Sequence, residues 1–346
     1  MLGVVTTKFS LRAYCCKPTS TMATILVEDR IAPLARPALD AIAETCRGLG
    51  HEVFRWRGPF SGPVGHWRRL FPCDLAVLFN GTHPRYRPYV HRLRMSGAKL
   101  LYVEVGWNPQ RGTCQIDPCG INAAASWSKP PLEAVGDTPL AVRDSGELLV
   151  VLQLDNDTQI TQHSPHFRNM RGMLEFLGRH SQLPIRVRQH PLAPPDDSLR
   201  QLVIAAGGRW DTSPSLAQAM VTCRAVACVN SSCGVEAMAA GLPVLCYGEA
   251  VYRHPGAVYC LDGNPENTRQ ATAELAAGRC SLSVERTAAA LARVSEHQWP
   301  HVEIPQRLPA LIEQQLAERG PRRIRTSRFG RFVRDLPSRA LWWRVA

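Results

Sequence analysis

The sequence predicts an α/β protein built as two consecutive units, each a mostly parallel sheet with helices on both faces. Three observations predict it. From residue 23 onward, short β-rich runs alternate with helical patterns; the alternation lapses over residues 128–147 and then restarts; and the strand candidates are near-continuous apolar runs, the mark of strands buried on both sides. A length of 346 residues, 45% hydrophobic and 20% charged, exceeds one average domain and can bury a sizeable core. Counts of 25 Gly and 27 Pro are near ordinary usage, which argues against fibrous and disordered classes. No run approaches the ~18 apolar residues of a membrane-spanning helix.

In chain order, residues 23–28 (ATILVE) read as a first strand and 35–50 as a helix, with Leu39, Ile42 and Ala43 at helical spacing and a glycine stop. Residues 51–56 and 73–81 read as strands, and 89–106 as a helix followed by a strand ending in Glu104-Val105-Gly106. The second unit opens with the strand 148–154 (LLVVLQL). A helix follows over 167–181, a strand over 184–190, helices over 198–208 and 215–223, a strand over 224–232, a short helix over 234–241 and a strand over 243–248. The expected division is an N-terminal extension at 1–22, a first unit at 23–145, a second at 146–318 and a tail at 319–346.

Residues 1–22 are poor in acids and lack the continuous apolar segment of a secretory signal. The twelve cysteines lie mostly inside apolar runs and form no CxxC pair, so reduced, buried thiols are expected rather than disulfides or a metal site. The net charge is +12, of which residues 319–346, with nine Arg and one Asp, carry +8. That tail interleaves Arg with Ile324, Phe329, Phe332, Trp342 and Trp343, the composition of a segment that lies on an anionic membrane surface; a solvated or partner-binding tail is the alternative. The remaining +4 and the lack of a reading motif argue against nucleic acid as a partner.

Open parallel sheets bind ligands beyond the carboxyl ends of their strands, and four such ends carry chemistry. Gln153, Asp155 and Asp157 leave the strand 148–154, where a carboxylate can act as nucleophile or base; Asp and Asn also cap helices and make turns. Arg188 and His190 close the strand 184–190, and Pro191 stops the ladder, leaving His190 to donate to a phosphate. Asn230, Ser231, Ser232 and Gly234 run from a strand into a helix carrying Glu236, with Tyr252 further on; small hydroxyls and free N–H groups there suit a nucleotide phosphate, and Glu236 a ribose. Neither GxGxxG nor GxxxxGK[ST] is present. Glu104 ends the first unit's last apolar strand, with Asp117 and Asn122 beyond it.

Together these segments, over roughly residues 100–260, resemble capsular polysaccharide biosynthesis proteins of the β-Kdo transferase type, which look related to bacterial sialyltransferases. The likeness rests on the order Glu104-x-Gly106, Gln153 to Asp157, His190-Pro191, Asn230-Ser231, Gly234-x-Glu236, then Pro243-Val244, Gly248 and Tyr252. The first motif reads Glu-Val-Gly, with one of the related family's two acids. The resemblance implies the GT-B fold, two Rossmann-like domains across a cleft, and a glycosyltransferase that moves Kdo, or a related 2-keto sugar acid, from a CMP-sugar to a lipid-linked or oligosaccharide acceptor with retention. Asp157 matches the nucleophile, His190 and Ser231 the phosphate-holding residues, and Glu104 the acid of the acceptor side. No metal or further cofactor is implied. The expected location is cytoplasmic and peripheral to the inner membrane, with other capsule assembly proteins as possible partners. Two other readings stand beside it, a GT-B-like nucleotide-sugar epimerase and a non-catalytic capsule assembly or export partner.

Overall fold

The computed structural model describes residues 22–30, 32–59, 73–133 and 136–317. The expected tail at 319–346 and all but the last residue of the expected extension at 1–22 lie outside the described residues.

The first unit runs β1 (Thr24–Glu28), α1 (Arg36–Gly48), β2 (Glu52–Trp56), β3 (Leu75–Phe79), α2 (Arg87–Met95), β4 (Lys99–Val105) and β5 (Thr113–Asp117). Helix α1 forms where the apolar spacing predicts. Pro37 sits in its first turn, Ala38, Leu39, Ile42, Ala43 and Cys46 are buried, and Gly50, at φ +81°, ends it. The second unit runs β6 (Glu147–Val151), α3 (Thr158–His163), α4 (Met170–His180), β7 (Ile185–Arg188), α5 (Asp197–Ala205), β8 (Arg209–Trp210), α6 (Leu216–Val221) and β9 (Cys223–Cys228). It continues through α7 (Cys233–Ala239), β10 (Val244–Cys246), β11 (Tyr259–Cys260), α8 (Pro265–Ala276) and α9 (Val284–His297). Two last elements follow, β12 (Trp299–Pro300) and α10 (Ile304–Ala317).

The described strands form two six-stranded sheets, ordered β12-β5-β4-β3-β1-β2 and β11-β10-β9-β6-β7-β8. All pairs of the second sheet are parallel; in the first, β5 pairs antiparallel with both β4 and β12, and the remaining pairs are parallel. The central strands are buried along their length, as their apolar runs require. One feature departs from the expected division. Residues 299–317, expected in the second unit, return to the first: β12 pairs with β5, and Ile304, Leu308 and Ile312 of α10 pack with Leu39 and Ile42 of α1. The apolar face of α1 is thereby covered on the side the sheet does not reach. Every described cysteine is a free thiol, and most are buried.

Strand order locates the crevices. In the first sheet the chain moves from β1 outward to β2, then crosses to β3 and β4 on the other side, so the order reverses between β1 and β3. In the second it moves from β6 to β7 and β8, then crosses to β9, so the order reverses between β6 and β9. Loops diverge at such reversals and leave room for a ligand. The two crevices touch: the Gln162 amide of α3 donates to the Thr82 carbonyl beyond β3 at 3.0 Å. Nearby, the Gln110 amide of the β4–β5 loop donates to the Ser232 hydroxyl at 2.9 Å. Two Rossmann-like sheets opposed by their carboxyl edges are the GT-B arrangement expected from the sequence.

Candidate active site

From the second sheet, the turn after β6 carries two acids with different duties. Asp155 is exposed, and its Oδ1 accepts the Met170 N–H at 2.7 Å, fixing the start of α4. Asp157 is half-buried and caps α3, its Oδ1 accepting from Gln159 N–H at 2.9 Å. A carboxylate has a second oxygen, and the charge of Asp157 acts on His83, Glu104 and His190, groups from both sheets. Of the two acids, Asp157 is the one at the junction.

The ring Nδ1 of His190 accepts the Leu192 N–H at 3.1 Å, so the neutral imidazole carries its proton on Nε2. Burial lowers the His190 pKa, and the Asp157 carboxylate opposes that. In the turn after β9, Ser231 Oγ accepts from Cys233 N–H at 3.2 Å and Ser232 Oγ from Gln110. The first N–H groups of α7 already point at Ser231 and Ser232, so the donors left over in this turn belong to Ser231 and Ser232 themselves. Glu236 is half-buried, its carboxylate accepts no hydrogen bond from the described residues, and burial raises its pKa.

From the first sheet, Glu104 near the end of β4 is half-buried, with Oε1 accepting the Val105 N–H at 2.9 Å. Burial pushes its carboxyl up to about 7. The Val105 N–H and the Arg30 guanidinium hold it down, while the Asp157 and Glu28 charges push it further up. Glu28, ending β1 at the reversal, is fully buried. It accepts from Phe79 N–H at 2.8 Å and from the Tyr86 hydroxyl at 2.5 Å, and burial pushes it too up to about 7 despite those bonds and Arg30. His83, after β3, repeats the geometry of His190: its Nδ1 accepts the Arg85 N–H at 3.1 Å and Pro84 follows it.

Several residues expected in the site are engaged elsewhere. Arg188 donates to Asp211 at 2.5 Å and to the Ser213 carbonyl, within a network that also holds Arg186, Glu147 and Arg209. Asn230 exchanges two hydrogen bonds with Gln153 and donates to the carbonyls of Gln159 and His163, so this pair ties the turn after β9 to α3. Asp117 accepts from Cys119, Gly120 and both donors of Ser126, closing the loop after β5. Asn122 accepts from the Trp107 indole and the Gln115 amide. Tyr252 is 1% exposed and donates to the Ser231 carbonyl at 2.7 Å. These residues position the site from behind. Glu28, Arg30, His83 and Gln110 were not singled out from the sequence. Two signals were there to read: an acid ending the run 23–28, and a second His-Pro dipeptide at 83–84 after an apolar strand.

Two measurements check this geometry. A Cβ on Gly234 would lie 2.3 Å from the Tyr252 hydroxyl and 2.4 Å from its ring, with no room in the core for the ring to retreat. Gly234→Ala is therefore expected to lower stability by about 1–3 kcal/mol in urea titration, through overpacking. Glu28 titrates higher folded than unfolded, so its stabilising share is complete at low pH and is lost as pH rises through about 7. Glu28→Gln is expected to remove that loss, on the order of 3 kcal/mol, so that the variant gains on the wild type between pH 5 and pH 8.

The fold and site define a two-sheet α/β protein with an acid–imidazole cluster where its two crevices meet. Residues 211–285 match the family described as Capsule polysaccharide biosynthesis protein. That stretch contains the Asn230–Glu236 turn and Tyr252, and Glu104, Asp157 and His190 lie outside it. The chain is similar to Protein FixF of Sinorhizobium fredii, 26% identical over 209 residues, 51% of this chain and 49% of that protein. The matched region thus spans about half the length of that curated relative. Among solved structures, the β-Kdo 2,7 transferase of KpsC from Thermosulfurimonas dismutans is 15% identical, covering 79% of this chain and 99% of that one, with a TM-score of 0.48. The β-Kdo 2,4 transferase of the same protein is 13% identical, covering 79% and 91%, with a TM-score of 0.43. Among the described residues no helix is long and apolar enough to cross a membrane.

Proposed function

We propose that the protein is a glycosyltransferase of capsular polysaccharide biosynthesis that moves Kdo, or a related 2-keto sugar acid, from a CMP-activated donor to a lipid-linked or oligosaccharide acceptor with retention. One observation carries the reading: Asp157 stands where the two reversals meet, its charge felt by His190 on its own sheet and by Glu104 and His83 on the other. The family match over the Asn230–Glu236 turn supports placing the nucleotide there.

Chemically, the donor phosphate takes hydrogen bonds from His190 Nε2 and from the Ser231–Ser232 turn, and Glu236 holds the ribose. An Asp157 oxygen attacks C2 of the sugar; the C2–O bond to phosphate breaks and CMP leaves with the electron pair. The acceptor hydroxyl then attacks C2 as Glu104 takes its proton, the Asp157–C2 bond breaks, and the carboxylate is restored. Two inversions give retention. The Arg- and Trp-rich segment 319–346 holds the enzyme at the inner face of the membrane, close to a lipid-linked acceptor. A ligand melting series tests the nucleotide: CMP should raise the melting temperature by several degrees at saturation, and less in His190→Ala. No shift with CMP, or a preference for UDP, would count against the reading and favour an epimerase.

A further inference from the structure

Helix α2 differs from the other surface helices in its charges. No acid occurs from residue 75 to residue 103, a stretch that contains Arg85, Arg87, Arg92, Arg94 and Lys99. On three other helices an arginine pairs with an acid three or four positions away, as Arg36 does with Asp40, Arg269 with Glu266 and Arg307 with Glu303. Arg87, His91 and Arg92 are exposed and make no ion pair among the described residues. Leu93 is buried, and Tyr89 and Val90 lean on the core with it. At 100° per residue, the opposite arc reads Arg94, Arg87, His91, Met95, Pro88, Arg92. Its centre is weakly polar or apolar, with Met95 56% exposed, and its flanks are cationic. That is the cross-section of a helix lying in a bilayer surface, with the flanks on headgroups and the centre toward the acyl chains.

The end of the described chain falls on the same side. Arg94 and Lys99 line one cavity together with Gln314 and Gln315 of α10, and the described chain stops at residue 317, just before the segment with nine Arg. This cavity lies at the amino end of β4, the edge opposite Glu104, and no carboxylate or imidazole lines it. Helix α2 follows His83 at the crevice and leads back to the start of β4. It therefore spans from the rim of the crevice to the cavity it shares with the end of α10.

We infer that the outer face of α2 docks on an anionic lipid bilayer, and so presents the Glu104 side of the crevice to a membrane-borne acceptor. The acceptor rests on the function proposed above; the contact itself does not. The test is flotation of the full-length protein with phosphatidylglycerol–phosphatidylcholine vesicles. At about fivefold per basic residue, Arg87→Ala with Arg92→Ala should lower partitioning roughly 30-fold, with the melting temperature and its CMP shift unchanged. Replacing both with Lys should keep the binding, and Met95→Asp should weaken it. Partitioning of the double Ala variant equal to wild type, or its loss in the Lys variant too, would overturn the inference. Alanines at Arg322, Arg323 and Arg325 test the basic segment separately, so either contact can fail without the other. Equal loss of binding to phosphatidylcholine alone, or retention on DNA of the affinity lost on vesicles, would also count against a lipid docking face.

Discussion

Asp157→Asn is expected to reduce sugar transfer by roughly ten-thousand-fold or more while leaving the fold intact, because removing a nucleophile removes the step it performs. The choice of Asn matters. Asp157 caps α3 through Oδ1 to Gln159 N–H, and Asn is as good a cap, so the variant deletes the charge and keeps the hydrogen bond. Asp157→Ala would also lose the cap, at about 1 kcal/mol, and mix two effects. The comparison with Asp155→Asn is informative, since Asp155 holds the Met170 N–H at the start of α4: that variant should lose little activity and only modest stability. A non-catalytic assembly partner would tolerate both substitutions equally.

The second large effect is at Glu104. Glu104→Gln is expected to lower kcat/KM by a hundred- to ten-thousand-fold, the range for a general base. Its pH dependence has a definite sign. A base works deprotonated, and burial holds the Glu104 carboxyl at about 7, so wild-type activity should fall about tenfold per pH unit below that value. Burial sets this value, and the Val105 N–H, Arg30, Asp157 and Glu28 adjust it, so Glu28→Gln, by removing one like charge, should move the acid limb to lower pH. In Glu104→Gln the limb should disappear. If it survived, another group would be the base.

What the sequence makes legible and what it hides divide along physical lines. The alternation of strand and helix is local, and so are the strand ends at Glu104, Asp157 and His190, because a carboxyl end is visible wherever an apolar run stops. Glu28 and His83 answer to the same rule, but their weight comes from the reversal between β1 and β3, which depends on strand order rather than on any local pattern. The engagement of Asn230 by Gln153, of Arg188 by Asp211 and of Ser232 by Gln110 joins residues 23 to 122 positions apart. A polar side chain in a motif looks alike whether it reaches a ligand or a distant loop. The return of β12 and α10 to the first sheet was equally hidden, since their sequence carries no mark of which sheet needs covering.

Intact-protein mass spectrometry on a CMP-activated 2-keto sugar acid tests the placement of Asp157 most directly. Glu104→Gln is the protein to use beside the wild type, because without its base the second displacement slows and a glycosyl-enzyme should accumulate. The expected result is an added mass of one sugar residue on Glu104→Gln, mapped to the peptide containing Asp157 and absent from Asp157→Asn. Unimpaired transfer by Asp157→Asn, or an adduct that maps elsewhere, would contradict it.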